Sequence, residues 1–243
     1  MIETLADIPS TNGALLARLG GGEAVPEGYW LIADRQSAGR GRAGRVWSDG
    51  FGNFMGSTVV HLRPAGPLPQ TLALVAGLAV HQAVMECAPG LGGLMLKWPN
   101  DLLVGEAKLA GILLERQRDT VVVGIGVNLV QAPEVPERMT ASLAALGHDV
   151  GRDAFAAILA ARFADALTRW HLGAWPLLRA QWLSRAMPLG TLVSVKDRDQ
   201  GEIIGAFGGI DDDGVALLRL ADGAVRAIHA GDIEMVDSHA SGG

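Results

Sequence analysis

Only one cysteine and one tyrosine occur in the 243 residues, and aromatic residues make up just 5% of the chain. A lone cysteine cannot close an internal disulfide, so no disulfide framework holds this fold, and a reducing compartment suits it. Cys87 lies in an apolar helical pattern and reads as a core thiol. The most apolar runs, residues 72–80 and 121–130, fall well short of the roughly 20 residues a membrane-spanning helix needs. The opening Met1-Ile2-Glu3-Thr4-Leu5-Ala6-Asp7 is acidic and lacks the basic-then-apolar order of an export signal. A cytoplasmic protein with no membrane partner is therefore expected. Positive charge is also in deficit. A net charge of -6 and a pI near 5.5 count against general nucleic-acid binding and favour a small-molecule site. There is no internal repeat and no low-complexity linker. No second histidine or carboxylate stands at metal-site spacing from His81, which reads as a packed or solvated helical residue.

Against these absences, 49% hydrophobic residues can bury a substantial core, enough for one large domain with a smaller appendage. The chain is organised around Gly39-Arg40-Gly41-Arg42-Ala43-Gly44-Arg45-Val46-Trp47. Its glycines let backbone N-H groups close on a ligand, and its arginines supply permanently charged forks suited to carboxylate or phosphate. Trp47 adds a flat apolar face. The glycines satisfy G-x-G-x-x-G, but a dinucleotide fold would continue into a helix and place an acidic residue about twenty positions on. Leu62-Arg63-Pro64 stands there instead. The kinase pattern G-x-G-x-x-G-x-V also fits, yet no His-Arg-Asp or Asp-Phe-Gly follows. One short Arg-Gly tract in an acidic chain gives an RNA reading little support.

In chain order, Ser10 or Thr11 caps a short helix carrying Leu15, Leu16 and Leu19 that ends at Gly20-Gly21-Gly22. Residues 29–33 and 53–62 read as strands entering and leaving the loop, and Leu72, Val75, Leu78, Ala79 and Ala83 recur at helical spacing. A strand then delivers Lys97, Trp98-Pro99 turns the chain, and Asn100 and Asp101 follow. A hairpin at Gly105-Glu106 leads into the strand 108–115, so Lys97, Asp101 and Lys108 can face one site or simply decorate an edge strand. The strand 120–129 is interrupted by Gly124 and Gly126, which marks close approach by a ligand or another backbone. Asn128 either bonds within the core or contacts a ligand. Asp153 is read as the cap of a long helix striped with Phe155, Ile158, Leu159, Phe163, Leu167 and Trp170, and a second helix is expected over 177–187. Five short strands follow, over residues 192–195, 201–207, 215–220, 224–229 and 233–236, with turns at 197–199, 211–214 and 222–223. They indicate a small β-barrel.

The order Ser10-Thr11-Asn12, the arginine-glycine loop, Lys97-Trp98-Pro99-Asn100-Asp101, Lys108-Leu109-Ala110-Gly111-Ile112-Leu113 and Gly124-Ile125-Gly126-Val127-Asn128 closely resembles the biotin protein ligases over essentially the whole chain. The resemblance implies an α+β fold: a mixed-sheet catalytic domain backed by helices over residues 1–188, an SH3-like β-barrel over 189–237, and a loose tail over 238–243. It implies two reactions at one site. Biotin and MgATP give biotinyl-5'-adenylate, and a lysine of biotin carboxyl carrier protein then attacks it. By the same resemblance, Ser10, Thr11, Asn12, Gln36, Gly39 and Gly111 hold biotin, and Arg40, Arg42 and Lys108 surround its carboxylate and the phosphate. Arg45 and Lys97 meet the ATP phosphates, and Trp47, Asn100, Ile112 and Asn128 hold the nucleotide. Asp101 orients or deprotonates the attacking lysine, or places Mg²⁺; these roles stay open. Ala43 departs from the basic residue often found in the loop, and Val127 from a frequent isoleucine. Only nine residues precede Ser10, which leaves no room for the helix-turn-helix of a repressor, so an enzyme without nucleic-acid partners is expected. Monomer and homodimer both stay open, because edge strands of such sheets can pair. A lipoate or octanoate ligase is the nearest rival, but Gly20-Gly21-Gly22 lacks that family's paired arginines. A non-catalytic module on the barrel would want a basic aromatic face, and residues 189–236 hold one aromatic, Phe207.

Overall fold

The structure, a computed structural model, describes residues 1–48, 50–136, 138–197, 201–229 and 231–236. Strands β1 (Ile2–Ile8), β2 (Trp30–Gln36), β3 (Phe54–His61), β4 (Leu94–Lys97), β5 (Asp101–Val104), β6 (Ala107–Gln117) and β7 (Thr120–Val127) form one sheet in the order β1-β2-β3-β7-β6-β5-β4. The β1-β2 pair is parallel and the rest are antiparallel, so the sheet is mixed. Helix α1 (Thr11–Gly20) lies on one face, and α2 (Leu72–Cys87), α3 (Arg152–His171) and α4 (Trp175–Leu183) belong to the core on the other.

An antiparallel sheet with one wet face alternates apolar and polar residues, yet β2, β3 and β7 are mostly buried and carry consecutive apolar residues in place of that alternation. The reason is cover on both faces. Trp30, Ile32, Val60, Val121, Val123 and Ile125 enter the main core beneath α2 and α3, while Leu31, Val59 and Val122 turn the other way against Leu15 of α1. Edge-to-face contacts of Trp30 with Phe163 at 5.6 Å and of Phe54 with Phe155 at 5.5 Å fix α3 to the sheet. Cys87 sits half-buried at the end of α2 against this core, and burial raises its thiol pKa.

Strands β8 (Leu192–Asp197), β9 (Gly201–Ile210), β10 (Ala216–Arg219), β11 (Val225–Ile228) and β12 (Ile233–Met235) form a second, antiparallel sheet in the order β11-β10-β9-β8-β12. It holds the five strands expected for the small SH3-like β-domain, and its end strands, β11 and β12, do not pair with each other among the described residues. Val193, Phe207, Ile210 and Leu218 nevertheless join the main core. Two indoles tie the second sheet to the rest of the fold: the buried Trp98, between β4 and β5, donates to the Gly214 carbonyl at 3.0 Å, and the partly exposed Trp175 of α4 donates to that of Asp212 at 2.5 Å.

One strand is not read from the sequence, and two further expectations change. The N-terminal stretch is β1, an exposed edge strand whose apolar residues do not alternate; pairing with β2 alone defines it. Asp153 does not cap α3. Gly151 does, and Asp153 lies in the first turn beside Arg152. The last helix ends at Leu183, not at 187, because residues 185–187 run alongside β4 and exchange backbone hydrogen bonds with Leu96. The tail at 238–243 lies outside the described residues, as does most of the turn at 197–199.

His81, buried midway along α2, has its pKa lowered to about 4, chiefly by burial and then by Arg185, with a partial offset from the Leu94 backbone. Its unfolded form takes up a proton near pH 6.5, whereas the folded form resists down to about 4. The stabilisation is therefore whole above pH 6.5 and is lost as pH falls toward 4. Denaturant unfolding of His81→Leu between pH 7 and pH 4 is expected to lose on the order of 1 to 2 kcal/mol less than the parent. Equal losses would refute this account.

Candidate active site

Helix α1 covers only part of its face of the sheet. Beyond Leu31, Val59 and Val122 the side chains shrink: Ser57 pairs in register with Gly124, and Gly111 with Gly126. A Cβ on Gly124 would overlap the Asn12 carboxamide, and one on Gly126 would overlap the Trp47 indole; at Gly111 it would come within 3.0 Å of the same ring. The close approach expected at these glycines is made by side chains. Over this floor opens a cavity of about 300 Å³.

The arginine-glycine loop forms one wall. Trp47 N donates to the Gly39 carbonyl at 3.0 Å, Gly41 N donates to that of Arg45 at 2.7 Å, and Arg40 and Val46 form a bridge. The tip turns through positive φ at Ala43 (54°) and Gly44 (74°). The chain then runs on into β3 rather than into a helix. The arginines are held by acceptors from distant segments. Arg42 donates to Asn100 Oδ1 at 3.0 Å and to Asp232 Oδ1 at 3.2 Å, Arg45 also pairs with Asp232, and Arg40 pairs with Glu115 at 3.1 Å.

Across the cavity, Asp101 on β5 lies opposite Lys97 on β4. Lys108 Nζ sits 2.5 Å from Asp101 Oδ1 and 5.9 Å from the centre of the Trp47 ring. Burial lowers the Lys97 pKa; Asp101 opposes the shift and the neighbouring cations Arg138 and Lys108 reinforce it. Asn100 Nδ2 is spent on the Ile112 carbonyl at 2.7 Å, leaving its oxygen for Arg42. Asn128 does both things considered for it: buried, it donates to the Ala141 carbonyl at 3.1 Å, and it also lines the cavity.

At the far end Ser10 caps α1 by accepting from Gly13 N at 3.3 Å, and Thr11 N donates to Gln36 Oε1 at 2.7 Å. Ser10, Thr11, Asn12 and Gln36 line the cavity together with Arg40, Arg42, Arg45 and Trp47. So do Asn100, Asp101, Lys108, Gly111 and Ile112. Lys97 and Gly39 do not; they stand behind it, Lys97 facing Asp101 and Gly39 buttressing Trp47. Sequence reading missed Arg138, which lines the cavity, and the carboxylates Glu115 and Asp232, which hold its arginines. Glu115 ends a strand already recognised, but nothing in the sequence marks Asp232. Among the described lining residues Arg40, Arg42, Arg45, Lys108 and Arg138 face a single carboxylate, Asp101. The protein is acidic, yet this cavity is strongly cationic. No three His, Cys, Asp or Glu residues gather to hold a metal among the described residues, and no described helix is long and apolar enough to cross a membrane.

Residues 7–129 match the Biotin/lipoate A/B protein ligase family. The chain belongs to that family. Residues 189–236 match the Biotin protein ligase C terminal domain, which corresponds to the second sheet. The chain is 36% identical over 227 residues to a biotin-acetyl-CoA-carboxylase ligase of Paracoccus denitrificans, covering 88% of this chain and 92% of that protein. With the Mycobacterium tuberculosis ligase of the same description it shares 35% identity over 96% of this chain and 88% of the other. Among solved structures, the biotin protein ligase of Aquifex aeolicus in complex with biotin and ATP superposes with a TM-score of 0.83, at 29% identity over 98% of this chain and 99% of that one.

In this member of the family Asp232 ties the second sheet to the arginine loop. Asp232→Ala is expected to speed tryptic cleavage after Arg42 and Arg45 while shifting global stability by no more than about 1 kcal/mol, since the pairs are partly exposed. Unchanged cleavage would show that the loop is held by other means.

Proposed function

We propose that this protein is a biotin protein ligase, activating biotin with ATP as biotinyl-5'-adenylate and passing the biotinyl group to a lysine of a biotin carboxyl carrier protein. The observation that carries this reading is the cavity itself: a glycine-floored slot with five cations and one carboxylate at its wall. Biotin is an apolar body ending in a carboxylate, and such a slot suits it. The match of the second sheet to the biotin-specific C-terminal domain favours biotin over lipoate or octanoate. We take that sheet as a small separate domain beginning near residue 189.

In the first step a biotin carboxylate oxygen attacks the α-phosphorus and pyrophosphate leaves. Two anions must meet, and charge gathers on the phosphoryl oxygens, so preorganised cations are what the reaction needs. Arg40 and Arg42 flank the phosphoryl group, and Lys108, fixed by Asp101, stands where carboxylate and phosphate join. Arg45, Arg138 and the recessed Lys97 add positive potential for the triphosphate. Trp47 lies flat on Gly111 and Gly126 with Asn100, Ile112 and Asn128 nearby, a surface for the nucleotide. Thr11, Asn12 and Gln36 take the ureido end. Mg²⁺ would arrive with the triphosphate, because Asp101 is the lone described carboxylate in the cavity and is already paired. In the second step the acceptor amine attacks the acyl carbon and AMP leaves, with Asp101 placed to orient that amine and take its proton.

The direct test is ATP-pyrophosphate exchange on the whole chain with Mg²⁺. Exchange is expected with biotin and absent with lipoate or octanoate; exchange with lipoate alone would move the protein to the rival chemistry. Arg42→Gly removes a charged contact worth roughly 1.5 to 3 kcal/mol, so the adenylate should escape about ten to a hundred times faster and label bystander proteins. A half-life of the intermediate equal to the parent's would count against Arg42 as its latch.

A further inference from the structure

The chain holds five phenylalanines. Phe54, Phe155, Phe163 and Phe207 are at most 1% exposed, whereas Phe51 is 73% exposed. The turn that carries it is tied down. Asn53, itself buried, accepts at Oδ1 from Val130 N at 2.9 Å and from Gln131 N at 3.2 Å, and its Nδ2 donates to the Gln131 carbonyl at 2.7 Å. Asn53 N donates to the Gly50 carbonyl at 2.9 Å, and Gln131 Nε2 donates to the Phe51 carbonyl at 3.2 Å. Gly52, at a φ of 84°, lets the turn press against Val130: a Cβ there would come within 2.7 Å of Val130 Cγ2. A buried carboxamide with three bonds thus fixes residues 50–53 to 130–131, and what the assembly holds out to solvent is Phe51 together with the 46% exposed Val130.

Scattered apolar residues on a surface are ordinary, but these two sit on a built support and at a particular place. Ser48, three residues before Phe51, and Pro133, three after Val130, both line the active-site cavity, so the pair stands at its rim. Phe51 and Val130 do not line the cavity themselves, so a ligand that fills it leaves them bare. A protein laid over the mouth covers them. The second step of the reaction demands such a protein, because a lysine carried on a folded acceptor reaches the acyl carbon beside Lys108 and Asp101 once the acceptor's surface has closed on the rim. We propose that Phe51, with Val130 beside it, is the docking knob for the protein acceptor: the ring fills an apolar hollow next to the acceptor lysine. Asn53 is the positioning residue that holds the ring out in advance, which lowers the ordering cost of docking. The proposal rests on the ligase reading above and adds where its protein substrate is gripped.

The test separates gripping the acceptor from making the adenylate. On the whole chain, Phe51→Ser is compared with the parent in biotin-dependent pyrophosphate exchange, in transfer of the biotinyl group to hydroxylamine, and in transfer to an unbiotinylated biotin carboxyl carrier protein. The first two, which need no protein surface, should stay within about twofold of the parent. The KM for the carrier protein should rise about tenfold or more, as for truncation of an anchoring aromatic, with kcat little changed. Phe51→Leu keeps the apolar bulk and should hold the carrier KM within about threefold of the parent. A merely structural role for Phe51 predicts that all three assays fall together. That result, or a parent-like carrier KM in Phe51→Ser, would overturn the proposal and leave the ligase reading intact. So would a parent that sediments as a dimer and a Phe51→Ser variant that sediments as a monomer, since a second copy would then be what covers the knob. A parent chain with no biotin-dependent exchange would instead remove the ligase reading on which this proposal stands.

Discussion

The site depends on keeping like charges close together without letting them repel the fold apart. Arg40, Arg42, Arg45, Lys108 and Arg138 ring one cavity, and four of them are held by an acidic partner: Glu115 for Arg40, Asp232 for Arg42 and Arg45, and Asp101 for Lys108. Each carboxylate does two jobs. It offsets repulsion in the unliganded protein, and it fixes a flexible cationic side chain in the orientation an incoming anion needs. None of these pairs is fully buried, so each contributes modest stability, and their value lies in geometry.

The sheet makes room for that cluster by treating its two faces differently. Beneath α2 and α3, bulky residues such as Trp30, Phe54 and Ile125 form a close-packed core with α3 locked edge-to-face upon it. On the opposite face α1 packs on Leu31, Val59 and Val122 of β2, β3 and β7, and the cavity floor beside it is Ser57, Gly111, Gly124 and Gly126. Rigidity on one side permits vacancy on the other. The glycines would weaken an isolated sheet, but here they sit in central strands paired on both sides, which keeps the floor flat enough for the Trp47 ring to lie on it.

The second sheet is part of the same machine. Its core residues merge with those of the large sheet, and Asp232 reaches the loop from a point 190 residues further along the chain than Arg42. A ligase that must retain a reactive adenylate gains from a loop clamped by a separate element, since loosening one contact then opens the site without unfolding it.

Local pattern was enough for most of the elements and for the chemistry. The β-branched run 120–127, the apolar helix 72–87, the cap at Ser10, the hairpin at Gly105 and the five short C-terminal strands all follow from spacing and turn residues, because each is decided by neighbours in the chain. The loop's arginines and glycines announced an anion site, and the ordered motifs announced which one. Tertiary structure decided the rest. Strand β1 has no apolar alternation and exists through pairing with β2; the end of α4 is set by hydrogen bonds to Leu96. Glu115, Ser57, Arg138 and Asp232 stand in unremarkable sequence and acquire meaning only where folding puts them: Glu115 against Asn12 and Arg40, Ser57 against Asn12, Asp232 against Arg42, and Arg138 at the cavity wall. Composition and spacing determine what a segment can become, whereas partners 45 to 190 residues apart are chosen by the packing of the whole chain.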